Sequence, residues 1–200
     1  MRSVVLRMML VLTALAAGSD ALAADSAGGN IFLDARVGTT LGGSGGGNSN
    51  SRVIWGADGG YLWNVDEASS LGFEAGYTHF DRIDKEVDSF MSLSESARAT
   101  SAGVHYEHLF GEDKAMVLQA RAGLLIVRFR QDFSFPGVAT GDSESWQDNG
   151  VYFGLGIGRK LTRDFSLTLA YDHDSTDGNR SVSQKDLDLN WIGLIAEYRF

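Results

Sequence analysis

Near the C-terminal end the chain reads Tyr171-Asp172-His173-Asp174-Ser175, which holds the pair of residue types that nucleophilic catalysis needs. On an extended strand His173 and Ser175 share a face, because side chains alternate with a period of two. An imidazole beside a hydroxyl can serve as base and nucleophile if an acid fixes the ring. Asp186 and Asp188 are the acids available across the following hairpin. The reading the sequence favours is plainer: a polar strand end entering a loop, since a triad is a matter of geometry rather than of residue types.

A second group is cationic. If the segments on either side of Gly111-Glu112-Asp113-Lys114 pair with Phe110 facing Met116, Arg98 falls opposite Arg128, and Arg130 continues the same face. Like charges side by side repel. An anion between them relieves this, and arginine takes phosphate in bidentate fashion. The remaining candidates point to no chemistry. Asp81, Asp84, Glu86, Asp88, Asp142 and Glu144 lack the spacing of a calcium loop. Gly42 to Gly47 lacks the lysine and following helix of a phosphate-binding loop. There is no cysteine, hence no disulfide and no thiolate ligand or nucleophile. No metal site and no cofactor are expected. The net charge of −9 disfavours nucleic acid, whose phosphates require a basic surface.

The elements that must position these residues are strands. Eight stretches show period-two alternation: Asn30–Gly38, Arg52–Asn64, Ser70–Phe80, about 95–110, Ala115–Arg130, Trp146–Leu161, Phe165–Asp174 and a last one after 185. The loops 39–51, 81–92, 131–145 and 175–185 are long and polar, whereas the turns after the second, fourth and sixth strands are tight. With 25 glycines and one proline, the composition suits strands and turns. Two hundred residues suit one domain. No stretch after the N-terminus reaches the roughly 18 apolar residues of a spanning helix.

One face of each strand is apolar, with aromatic residues near both ends: Trp63, Phe73, Tyr106, Phe110, Phe165, Tyr198 and Phe200 near the turns, and Trp55, Tyr77 and Tyr171 near the loops. Two aromatic girdles flanking an apolar band are what a bilayer requires of a strand barrel. The other face carries glycine and Asp34, Arg36, Asp58, Glu74, His105, Glu107, Arg121, Lys160, Asp172, Glu197 and Arg199. Charges inside a narrow barrel are costly unless paired. The expectation is therefore an all-β, eight-stranded antiparallel up-and-down transmembrane barrel with a salt-bridged plug. The turn-mediated register sets His105 opposite Arg121, with Glu107 a diagonal neighbour.

Residues 1–23 read as a signal peptide: Arg2 and Arg7, an apolar core from Met8 to Ala17, and Ala21-Leu22-Ala23 as cleavage site. The barrel domain then occupies residues 24–200, with fifteen basic and twenty-five acidic residues and a charge of −10.

The ending Ile192-Gly193-Leu194-Ile195-Ala196-Glu197-Tyr198-Arg199-Phe200 resembles the C-terminal signature of bacterial outer-membrane barrels. That resemblance implies that Ile192, Leu194, Ala196, Tyr198 and Phe200 form the signal read by the barrel-assembly machinery. The whole pattern is similar to the small OmpA transmembrane-domain, OmpX and Opa-like surface-antigen barrels. This implies a monomer in the Gram-negative outer membrane, without catalysis, whose loops meet host or neighbouring surfaces. The anion between the arginines would then be a lipopolysaccharide phosphate. The His173-Asp174-Ser175 stretch also looks like the H-x-S pair of the outer-membrane lipid A deacylases, which implies the alternative of a lipid A hydrolase. The chain departs from that family at Thr176-Asp177, where Asn-Ala is usual, and offers aspartates and Asn190 where a glutamate orients the histidine.

Overall fold

A computed structural model describes residues 29–41, 52–88, 91–134, 142–176 and 187–200. Residues 1–23, read from sequence as a signal peptide, the Gly42 to Gly47 stretch and Asp186 lie outside them. The regular elements among the described residues are β1 (Gly29–Thr40), β2 (Val53–Asn64), β3 (Ser69–Asp88), β4 (Met91–Phe110), β5 (Met116–Ser134), β6 (Asp142–Lys160), β7 (Phe165–Thr176) and β8 (Leu187–Arg199). Each pairs antiparallel with its sequence neighbours, and β1 pairs with β8, so the sheet closes as an eight-stranded barrel.

The register is set at the tight turns, and each turn uses local side-chain chemistry. In the first, Asp66 Oδ1 accepts from Ala68 N at 2.7 Å and from Ser69 N at 2.8 Å. In the second, Gly111 sits at φ 90°, a left-handed value that costs a glycine nothing. In the third, Thr162 Oγ1 accepts from Phe165 N at 3.1 Å. The second turn pairs Phe110 with Met116, and from there the ladder places His105 opposite Arg121 and Arg98 opposite Arg128. At the seam, Phe200 N donates to Ile31 O at 3.0 Å, so both described ends lie on the turn side.

The apolar face looks outward. Phe73, Leu124, Val151, Ile157 and Leu169 are exposed around the barrel, Leu124 at 69%. A belt of that extent is stable against hydrocarbon, not water. The aromatic residues at its turn-side rim touch one another: Tyr61 with Trp63 at 5.1 Å, Trp63 with Phe73 at 5.4 Å, and Tyr198 with Phe200 at 5.0 Å. On the loop side Trp55 packs on Tyr77 and His79.

Inside are two layers. A polar layer holds the charged residues. Toward the loop side lies an apolar cluster that includes Ile54, Phe80, Leu125, Val127, Phe129 and Trp191. Trp146 stacks on Phe129 at 5.2 Å. The strands also extend further than the alternation suggests. Much of 81–92 and 131–145, read from sequence as loops, continues the ladders: Ile83 pairs with Glu95 after a register shift, and Asp132 pairs with Ser143. Beyond the membrane both faces of a hairpin meet water, so the period-two signal vanishes while the backbone pairing persists.

Candidate functional site

Three guanidiniums organise the polar layer. Arg121, 3% exposed, donates through Nη2 to both oxygens of Asp172, at 2.9 and 2.8 Å. Its Nη1 lies 3.8 Å from Asp58. Arg36 pairs with Asp58 and lies over the Trp191 ring at 5.7 Å. Arg199 bridges Glu107 and Glu197, the latter at 2.6 Å. Two glycines give the acids room. Asp172 faces Gly154 and Asp58 faces Gly76 across their ladders. A Cβ at either glycine would meet the facing carboxylate. The bare backbone lets each acid lean across its neighbour toward an arginine.

Every predicted lumen residue lies on the inward phase, with Lys160 only half-buried at the turn side. The partners differ from those of the hairpin argument. His105 is opposite Arg121 in register, but its Nδ1 bonds Glu74 at 3.0 Å. Glu107 serves Arg199 rather than the β4–β5 pair. Glu74 is the diagonal neighbour of His105 across the β3–β4 ladder, whereas Glu107 reaches Arg199 across the lumen from β4 to β8, a pairing that barrel closure and not the local turn decides.

Sequence reasoning missed several members of the site. Tyr152 donates to Glu74 Oε1 at 2.7 Å, and Gln119 Nε2 donates to Glu197 at 3.1 Å. Both fall on the inward phase of their strands, so alternation alone could have found them. Asp174 is buried inside as well. The inner apolar cluster was missed because Leu124-Leu125-Ile126-Val127 is apolar on both faces.

On the outer face the arginines stand together. Arg98 and Arg128 are directly opposite and exposed, as is Arg130 on the same face. Arg128 Nε donates to Gln147 at 3.2 Å, and Arg130 Nε lies 2.9 Å from Asp132. At the end of β7, His173 Nδ1 is 2.8 Å from Asn190 Oδ1, which also accepts from Tyr171 OH at 2.6 Å. The group on the imidazole is thus a neutral amide. Asp188 is described only as the strand position opposite Ser175.

A closed antiparallel barrel with a greasy belt outside and ion pairs inside is the architecture of an integral outer-membrane protein. The chain belongs to the outer membrane protein beta-barrel domain family, which it matches over residues 9–200. No curated protein matches it in sequence. Among solved structures it is similar to Ail, the attachment invasion locus protein of Yersinia pestis, at 16% identity and a TM-score of 0.51 over 86% of this chain and 97% of that one. Ail has also been solved in complex with the heparin analogue sucrose octasulfate. A major outer membrane protein from Thermus thermophilus matches at 14% identity and a TM-score of 0.53, over 86% of this chain and 99% of that one. The outer membrane enzyme PagL matches at 17% identity over 84% of this chain and 98% of that one, with a TM-score of 0.45, too low to carry chemistry across. The likenesses to Ail and to the Thermus thermophilus protein support the fold alone.

Proposed function

We propose that this outer-membrane barrel is a non-catalytic surface protein that acts through the segments it presents beyond the loop-side rim. In this reading residues 1–23 export the chain. The barrel-assembly machinery reads Ile192, Leu194, Ala196, Tyr198 and Phe200, and the product is a monomer. Arg98, Arg128 and Arg130 grip lipopolysaccharide phosphates at the outer leaflet, and the loops meet a host or neighbouring cell surface. The observation that carries the reading is the filled lumen. An ion-pair layer and, toward the loop side, an apolar cluster that includes Phe80, Phe129 and Trp191 are buried within the barrel, as in eight-stranded barrels that are filled by their own side chains. What remains available for interaction is the outside.

The experiment is reconstitution of the full chain in planar bilayers, together with mass analysis of lipid A from cells with and without the gene. No step conductance and unchanged lipid A are expected. A stable conductance would remove the first support. The hydrolase alternative, with His173, Ser175 and either Asp186 or Asp188, requires a lipid A mass change that disappears in Ser175→Ala. The amide of Asn190 at His173 disfavours it, since an amide stabilises an imidazolium less than a carboxylate does.

A further inference from the structure

Where the barrel closes, three inward carboxylates stand abreast. Asp34 of β1 is in register with Asp58 of β2 on one side and Glu197 of β8 on the other. Like charges directly opposite on a sheet repel. The outer two are answered: Asp58 by Arg36, and Glu197 by Arg199 at 2.6 Å and Gln119 at 3.1 Å. Asp34 is not. It is 2% exposed, and neither of its carboxylate oxygens has a hydrogen-bond partner among the described residues. A buried carboxylate in that condition calls for a cation or a proton.

His105 of β4 completes the group. It is fully buried, and its Nδ1 lies 3.0 Å from Glu74, whose other oxygen accepts from Tyr152. With Nδ1–H donating to Glu74, the ring's lone pair resides on Nε2. Nε2 has no partner among the described residues. One donor atom from each of Asp34, His105 and Glu197 lies within 4.8 Å of the other two.

We propose that Asp34, His105 and Glu197 form a binding site for one divalent transition-metal ion inside the barrel. Three arguments converge on it. First, a metal-binding histidine almost always donates its other ring N–H to a carboxylate or carbonyl, and Glu74 occupies that position here. Second, the charge balance asks for a cation. The described interior buries seven carboxylates against three guanidiniums and the half-buried Lys160, with His105 neutral. Third, an imidazole with two carboxylates suits zinc or manganese, whereas calcium and magnesium favour all-oxygen sites. Glu197 can ligate while it accepts from Arg199 and Gln119, because each carboxylate oxygen has two lone pairs. The ligands come from β1, β4 and β8, so the site exists only once the seam is shut, and the ion enters as the barrel folds.

The test is to refold the full chain into metal-free detergent micelles, with and without zinc chloride. Zinc per folded barrel is then measured after gel filtration, and thermal unfolding is followed by circular dichroism. One retained zinc and a raised melting temperature are expected, with magnesium giving neither. Asp34→Asn keeps the side-chain shape, removes the charge and should fold without retaining zinc. Should that variant not fold, His105→Gln gives the same reading through a neutral side chain. Glu74→Gln, acting through His105, should fold and weaken zinc retention by roughly 10- to 100-fold. His79→Ala, which removes a surface histidine 3.6 Å from Asp81, should leave the stoichiometry unchanged. A wild-type barrel that folds without retaining zinc, or an Asp34→Asn barrel that retains as much as wild type, overturns the proposal. The first outcome means that Asp34 is held by a proton, the second that the zinc sits elsewhere.

Discussion

Replacing Arg121 with methionine removes the guanidinium that Asp172 grips with both oxygens at 2.8 and 2.9 Å. Asp58 also loses a cation 3.8 Å away but keeps Arg36. Both acids are buried, so the principal damage is a stranded carboxylate on Asp172. Breaking a buried pair from one side costs about 3–5 kcal/mol. Removing both charges is far milder, because no naked ion remains; matched apolar replacement of a buried pair is often neutral. The double variant Arg121→Met with Asp172→Asn should therefore recover most of the loss, and the coupling in the cycle should be of the same few kcal/mol. The assay is equilibrium urea unfolding of the barrel in lipid vesicles, read by tryptophan fluorescence and by migration of unheated samples on detergent gels. Arg121→Met within about 1 kcal/mol of wild type would refute the reasoning, since a loss that small is what a solvated pair gives. So would a double variant no more stable than the single one.

Three further outcomes are expected. Gly154→Ala should destabilise by roughly 1–3 kcal/mol, the usual range for overpacking, because the added methyl meets the Asp172 carboxylate that Arg121 holds fixed; in an Asp172→Ala background the penalty should largely vanish. Added lipopolysaccharide should raise the melting temperature of the wild-type barrel in micelles, and Arg98→Ala with Arg128→Ala should abolish that rise; no rise in the wild type, or an undiminished one in the double variant, would refute the lipid contact. The Asp66 carboxyl lies below the usual aspartate range because it accepts from the Ala68 and Ser69 amides. Since the folded value is the lower one, the stabilisation is complete at neutral pH and fades only as pH falls below the ordinary carboxylate range. Hydrogen exchange at Ala68 and Ser69 should show protection lost in that acid window, and Asp66→Ala should remove the pH dependence.

Legibility in the sequence tracks how local the cause is. Alternation at Leu167, Leu169 and Tyr171 against Ser166, Thr168 and Asp172 marks a strand and its two faces, because the pleat itself fixes them. The five-residue turn after Phe110 sets a register that carries as far as Arg98 and Arg128. Cross-lumen partners are of another kind. That Glu107 of β4 meets Arg199 of β8 depends on the tilt and stagger with which eight strands close, which no single hairpin encodes. Asp34, Asp58 and Glu197 were each readable as inward, yet their alignment needs the β1–β8 register, and Asp34 and Glu197 lie at opposite ends of the chain. Val127 and Phe129 were hidden by outward neighbours just as apolar or as bulky, so no contrast betrayed which side they faced.

The unequal strands make the molecule directional in the plane of the membrane. β3 to β6 have 19 or 20 residues, whereas β1, β2, β7 and β8 have 12 or 13. Six to eight extra residues on a tilted strand add roughly 15–20 Å of height. Among the described residues, the half of the circumference formed by β3 to β6 therefore rises higher than the half that carries the closing seam. Anything that approaches the flank of β3 to β6 above the belt meets a ribbon of hydrogen-bonded backbone.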